Sequence, residues 1–111
     1  MWIKNLVDTE NKLVYQENTD GTLTVIGVTD PFIMICSIPE KYEGKTITII
    51  NDYAFSELSY LHVISIPSTI TRIGECVFKS SSYIDSIIVA EENKNYKTIE
   101  NVLYSKDETS I

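Results

Sequence analysis

The sequence predicts a β-rich solenoid of stacked coils, closed at each end by a β-hairpin. Three observations carry the prediction. One stretch matches another at a shift of 23 residues, its apolar positions have strand spacing, and segments near both ends read as hairpins.

The repeat is the strongest of the three. ITIINDYAFSELSYLHVISIP, residues 47–67, aligns without a gap on ITRIGECVFKSSSYIDSIIVA, residues 70–90. Ile47 meets Ile70, Thr48 meets Thr71, Ile50 meets Ile73 and Phe55 meets Phe78. Ser59-Tyr60 meets Ser82-Tyr83, Leu61 meets Ile84, Ile64 meets Ile87, and Ile66 meets Val89. A degenerate third copy lies upstream, where Cys36-Ser37-Ile38-Pro39 resembles Ile64-Ser65-Ile66-Pro67 at a spacing of 28. Its five extra residues fall in the polar stretch Glu40 to Lys45, and solenoids place such insertions in loops. A single coil cannot bury its own apolar face, so coils stack, and about three are the minimum.

The elements follow in chain order. Residues 13–27, LVYQENTDGTLTVIG, read as an N-terminal hairpin turning at Asp20-Gly21, a cap for the open end of the core. Residues 35–46 form the degenerate coil, 47–69 and 70–92 the two regular ones. In each regular coil the spacing Leu61-x-x-Ile64-x-Ile66 or Ile84-x-x-Ile87-x-Val89 marks a strand with alternate residues inward. These strands are expected to form a parallel ladder, about 4.8 Å apart. Pro39 and Pro67 end their strands, where a missing N–H costs least. Ile47-x-x-Ile50 and Ile70-x-x-Ile73 form a second extended segment, and Ala54-Phe55 and Val77-Phe78 fill the space between the two sides. Residues 93–111 are expected to close the far end as a hairpin. Val102-Leu103-Tyr104 would pair with Thr109-Ser110-Ile111 through a turn at Lys106-Asp107.

With the repeat aligned, the chain resembles the BspA-like leucine-rich repeats. The run Ile66-Pro67-Ser68-Thr69-Ile70-Thr71-Arg72-Ile73-Gly74, followed by Val77-Phe78, carries the likeness. So do Ile47 to Ile50 with Ala54-Phe55, the lead-in at Asp20-Gly21-Thr22, and the tail from Tyr96 through Val102 to Asp107. The resemblance covers roughly residues 13–111 and implies a leucine-rich-repeat solenoid. It also implies a non-enzymatic scaffold for protein contact, often an adhesion protein of the bacterial surface. The family's usual cysteine, three residues after the phenylalanine, is absent: Leu58 and Ser81 stand there. Asn51 replaces the glycine kept at Gly74, and Val77 replaces the usual alanine.

Composition narrows the function classes. The chain has 111 residues, the length of one domain, and a formal charge of −7 with its nine Lys and Arg unclustered. Nucleic-acid binding needs a basic patch and is disfavoured. No apolar run is long enough for a membrane span. The opening MWIKNLVDTENKL lacks the pattern of a secretory leader, which points to the cytoplasm, or to the cell surface if the chain is a piece of a longer family member. Cys36 and Cys76 form neither a disulfide framework nor a zinc site and are expected to be buried thiols. One histidine and scattered carboxylates supply no metal site, and the four glycines, standing singly, cradle no phosphate. His62, Ser65 and Asp85 invite a catalytic reading. Ser65, however, lies three residues along a strand from His62, about 10 Å away, too far for proton transfer. A surface pair of His62 with Asp85 is the ordinary reading. No catalytic residue and no cofactor is expected.

What remains is the outward face of the ladder. Alternation turns Ile35, Ser37, Val63, Ser65, Ser86 and Ile88 away from the core, and is expected to line Ile35, Val63 and Ile88 into one apolar column beside the serines. Tyr60 and Tyr83, at equivalent turn positions, would flank it. A protein partner docking on this face is the favoured function. The alternatives are a structural unit that pairs through open solenoid ends into a dimer or array, and a small acidic inhibitor. A serine turn, rather than a linker, is expected at Lys79 to Ser82.

Overall fold

The computed structural model describes residues 4–99 and 102–105. Eleven short strands run through them, with no helix among the described residues. The strands are β1 (Asn5–Asp8), β2 (Leu13–Glu17), β3 (Leu23–Val28), β4 (Ile35–Ser37), β5 (Lys41–Tyr42), β6 (Lys45–Ile50), β7 (Val63–Ile66), β8 (Arg72–Ile73), β9 (Ser86–Val89), β10 (Tyr96–Ile99) and β11 (Val102–Ser105).

Two parallel stacks face each other across the core. One is the ladder β4-β7-β9, with Cys36 opposite Ile64 and Ile64 opposite Ile87. The other runs β3-β6-β8, with Leu23 opposite Ile47 and Ile50 opposite Ile73. Between them Leu23, Val25, Ile47, Ile50, Phe55, Leu61, Ile64 and Ile70 are fully buried. The rings of Phe55 and Phe78, one repeat apart, stack at 6.0 Å with planes 20° apart. Burial of this size is the main stabilising term, at about 1.5–3 kcal/mol for each large apolar side chain.

The turns joining the two stacks repeat with the sequence. Tyr53, Glu57, Cys76 and Ser80 all have positive φ, between 54° and 62°, and each pair lies at the same repeat shift. A left-handed non-glycine residue costs free energy. Coil-to-coil hydrogen bonds hold it in place: Tyr53 N–H donates to Glu75 O, Phe55 N–H to Val77 O and Glu57 N–H to Lys79 O. That geometry corrects one expectation. Cys36 is buried, but Cys76 is exposed, because its left-handed turn aims the side chain outward as it does for Tyr53. Gly74 is needed for a different reason. A Cβ there would stand 2.6 Å from the backbone N of Asp52, and Asp52 Oδ1 must come close to accept Glu75 N–H at 2.8 Å.

β1, β2 and β3 form an antiparallel meander at the N-terminal end, joined to the core through β3. The β2–β3 turn is tied by Asn18 N–H donating to Thr22 O at 2.7 Å, with Gly21 at φ +85°. The upstream insertion is a tight hairpin of β5 with β6. Glu43 and Gly44 both have positive φ, the demand of its two-residue turn. Tyr42 of that hairpin packs its ring 5.1 Å from Tyr15 and donates its hydroxyl to Val7 O. At the other end β11 pairs with β10, Tyr96 opposite Ser105. The turn placed at Lys106-Asp107 and the strand at Thr109 to Ile111 lie outside the described residues.

Candidate functional site

The outward positions of the ladder are set by strand alternation. On β7 the inward Ile64 and Ile66 are buried while Val63 and Ser65 are half-exposed. On β4 the inward Cys36 is buried between Ile35, 66% exposed, and the exposed Ser37. On β9 Ile87 and Val89 are half-buried against the core, Ser86 is half-exposed and Ile88 is 53% exposed.

The register corrects the expected apolar column. Ile35 stands opposite Val63, and Val63 opposite Ser86; Ser37 stands opposite Ser65, and Ser65 opposite Ile88. The three apolar residues therefore do not share one column. Ile35 and Val63 head one, Ile88 ends the other, and the serines fill the remaining places. The cause is the chain itself: β4 and β7 carry apolar-x-Ser outward, whereas β9 carries Ser-x-Ile.

Aromatic groups cluster where the chain runs into these strands. Phe32 before β4 is 66% exposed, its ring 5.6 Å from that of Tyr60, and Tyr60 and Tyr83 are exposed in turn at equivalent positions before β7 and β9. Met34, also exposed, accepts His62 N–H with its carbonyl at 2.8 Å. Phe32 and Met34 were not among the residues expected here. They lie in the apolar run Pro31 to Ile35, whose strict alternation begins only at Cys36, so periodicity does not reveal which of them face water.

His62 does not form the expected pair with Asp85. Its Nδ1 lies 3.3 Å from Tyr83 O, while Asp85 is tied to His62 only through backbone, its N–H donating to His62 O at 2.9 Å. The strand-start hydrogen bonds that draw Asp85 to the His62 carbonyl leave the imidazole over the next turn.

One buried polar cluster had no signal in the sequence. Asp8, 2% exposed, accepts Tyr15 Oη–H at 2.7 Å and both the N–H and Nδ2–H of Asn11 at 3.0 Å. Burial alone would raise the Asp8 pKa, but the hydrogen bonds from Asn11 and Tyr15 outweigh it and hold the carboxyl below its usual range. Burial first, and the Asp8 charge second, push the Cys36 thiol up to about 12, which keeps it protonated and unreactive at neutral pH. The cluster is a satisfied latch of the N-terminal meander. Among the described residues no group of three or more His, Cys, Asp and Glu is arranged to hold a metal ion. No helix among them is long and apolar enough to cross a membrane.

A stacked ladder, a second parallel stack and left-handed turns at a fixed repeat define a leucine-rich-repeat solenoid. A family model described as the BspA type leucine rich repeat region (6 copies) matches residues 32–110, and the chain belongs to that family. Solved structures agree on the fold. A leucine-rich repeat protein from Bacteroides capillosus superposes with a TM-score of 0.67 at 18% identity, over 78% of this chain and 66% of that one. A leucine rich cell surface protein from Faecalibacterium prausnitzii gives 0.68 at 21% identity, over 85% of this chain and 25% of that one. The leucine rich repeat protein of T. pallidum gives 0.68 at 16% identity, over 78% and 41%. The chain thus spans between a quarter and about two thirds of these three structures. Curated proteins give no significant sequence match. Leucine-rich repeats of this kind are generally non-enzymatic, and the fold suggests a scaffold for protein interaction.

Proposed function

We infer that this chain binds a protein partner through the outward face of its ladder. The observation that carries the reading is the company kept by exposed apolar side chains. Phe32, Met34, Ile35, Tyr60, Tyr83 and Ile88 account for most of the large apolar groups that the described residues leave in water, and all six belong to the ladder strands or to the residues leading into them. Scattered exposed apolar residues need no explanation, but a cluster on one face marks a contact surface. Tyrosines at its rim suit an interface, since each brings apolar area and a hydroxyl at low entropic cost. Ser37, Ser65 and Ser86 complete the face with small polar groups, and Val63 on the middle strand stands beside Ile35.

Self-association of whole chains through open ends has weaker support, because two copies carrying −7 each repel. The acidic-inhibitor reading also loses support, since several carboxylates serve local structure. Asp8 is buried, Asp30 accepts Phe32 N–H, and Asp52 accepts Glu75 N–H. An adhesion-type setting rests on the family resemblance and on the cell-surface description of the F. prausnitzii protein, not on a residue of this chain.

The test is a double change on the two exposed large apolar residues of the ladder strands, Ile35→Glu with Ile88→Glu. A partner isolated on the immobilised chain should bind the variant about tenfold or more weakly, the scale of losing two interface anchors, with unfolding midpoint and circular dichroism unchanged. A partner indifferent to the pair of substitutions overturns the reading.

A further inference from the structure

The ladder has an unpaired side. Its strand order is β4-β7-β9, so β4 meets a hydrogen-bonded neighbour only on one edge. Alternation of a parallel pair fixes which groups are left over. Met34 O accepts Val63 N–H, and Ile38 N–H donates to Ser65 O, so residues 34, 36 and 38 turn their backbone toward β7. The N–H and C=O of Ile35 and Ser37 point the other way, and no described strand lies there. The opposite end differs, since β10 packs alongside β9.

This open edge is short, three residues, but carries no lysine, proline or bulge of the kind that blunts many natural edge strands. It holds the exposed Ile35 and is preceded by the exposed Phe32 and Met34. A shallow groove of about 350 Å³ runs along it, lined by Ile33, Met34, Ile35 and Ser37 on one side and by Glu10, Asn11 and Lys12 of the β1–β2 turn on the other. Lys12 is already paired with Asp30 at 3.3 Å, which leaves Glu10 as the groove's uncommitted charge on a chain of net charge −7.

We propose that the β4 edge is a strand-addition site, taking an extended segment of another protein in which apolar residues alternate with basic ones. The proposal rests on the ladder-face reading and specifies its mode. The free N–H and C=O groups of Ile35 and Ser37 accept only an extended backbone, which is how strand addition obtains affinity without sequence readout. Alternate apolar side chains of the added strand continue the surface of Ile35 and Phe32, and basic ones meet Glu10 and the acidic field around it.

The probe is an acetylated, amidated heptapeptide of alternating lysine and valine, titrated into isotopically labelled protein and followed by NMR. The expected result is saturable binding, with shifts concentrated at Glu10 to Lys12 and Ile35 to Ser37, and slowed exchange of the Ile35 and Ser37 amides. N-methylation of the peptide at alternate residues removes the donors that face β4 and should weaken binding about tenfold or more, the scale of one or two net hydrogen bonds. Ile88→Glu separates the two readings, because Ile88 sits two strands, about 10 Å, from the open edge. Sensitivity to Ile88→Glu with indifference to N-methylation keeps the face and overturns the edge. The reverse keeps the edge and confines the contact to it, away from Ile88. Absence of saturable binding overturns the proposal. So does a protein dimer, seen by sedimentation, whose formation protects the same two amides, since that assigns the edge to a second copy.

Discussion

Ser81 shows how one hydroxyl can join two coils. It is buried; its Oγ donates to Phe55 O at 2.6 Å and accepts Leu58 N–H at 2.8 Å. Replacement by alanine leaves both backbone groups without a partner in a dry interior, and each such loss costs about 1–3 kcal/mol. Ser81→Ala should therefore lower unfolding free energy in urea by at least about 1 kcal/mol. Ser82→Ala, on an exposed neighbour, should stay within about 0.5 kcal/mol of the parent. Equal midpoints for the two variants would remove the bridging role. This role was not legible beforehand. The run Ser80 to Ser82 reads as a turn, but the partners of Ser81 lie 23 and 26 residues back, and its own repeat mate is an apolar leucine, Leu58. The exposure of Cys76 was hidden for a related reason. Hydropathy places a cysteine that precedes Val77-Phe78 inside, and only the left-handed turn sends it out.

Among the elements, the parallel stacks were readable because each inward anchor recurs at the same shift, so register follows from the alignment of Ile64 with Ile87 or Ile50 with Ile73. The ends were less readable, since no repeat governs them. β1 has only four residues, and its pairing with β2 is supported by an acid whose burial depends on Tyr15 across the turn. At the other end the repeat shift carries Ile70 onto Asn93, a polar residue in a core position. Asn93 is 1% exposed and satisfies four groups: its Nδ2 donates to Pro67 O and Ile70 O, and its Oδ1 accepts the N–H of Asn95 and Tyr96. It thereby closes the last described coil and sets the start of β10, where Tyr96 accepts Ile73 N–H on its hydroxyl oxygen. Asn93→Asp is nearly isosteric but exchanges both donors for acceptors facing two carbonyls. It should cost at least about 2 kcal/mol and unprotect the Tyr96 amide in hydrogen exchange. Unchanged protection would show that the coil closes without it.

For the whole molecule, the candidate face was legible as a set of outward positions, and its arrangement lay in the same repeat shift, which sets Val63 against Ser86 and Ser65 against Ile88; a single apolar column of Ile35, Val63 and Ile88 is incompatible with that shift. Val63 accordingly sits beside Ile35 and Ser86 in the observed pairing. Net charge is the other global property, and here two effects oppose each other. As pH falls from 7 toward the sequence pI of about 4.5, carboxylate repulsion across a chain of charge −7 is relieved, which favours the compact state. Below that the latch at Asp8 takes over. Its folded pKa lies below the unfolded carboxylate value of about 3.9, so the unfolded chain takes up the proton first. The stability it contributes is thus fully present above that value and is lost as pH falls through the folded pKa. Asp20, held by Thr22, and Asp30, held by Phe32 N–H, are lowered too and act in the same sense from the surface. The separating variant is Asp8→Asn, which keeps the shape, removes the charge and offers a donor where Tyr15 and Asn11 already donate. It should be less stable than the parent at pH 7, and its unfolding free energy should fall less steeply between about pH 4 and pH 2. Urea titrations across that range decide the matter: parallel acid limbs for parent and Asp8→Asn would transfer the acid sensitivity from the buried latch to the surface turns.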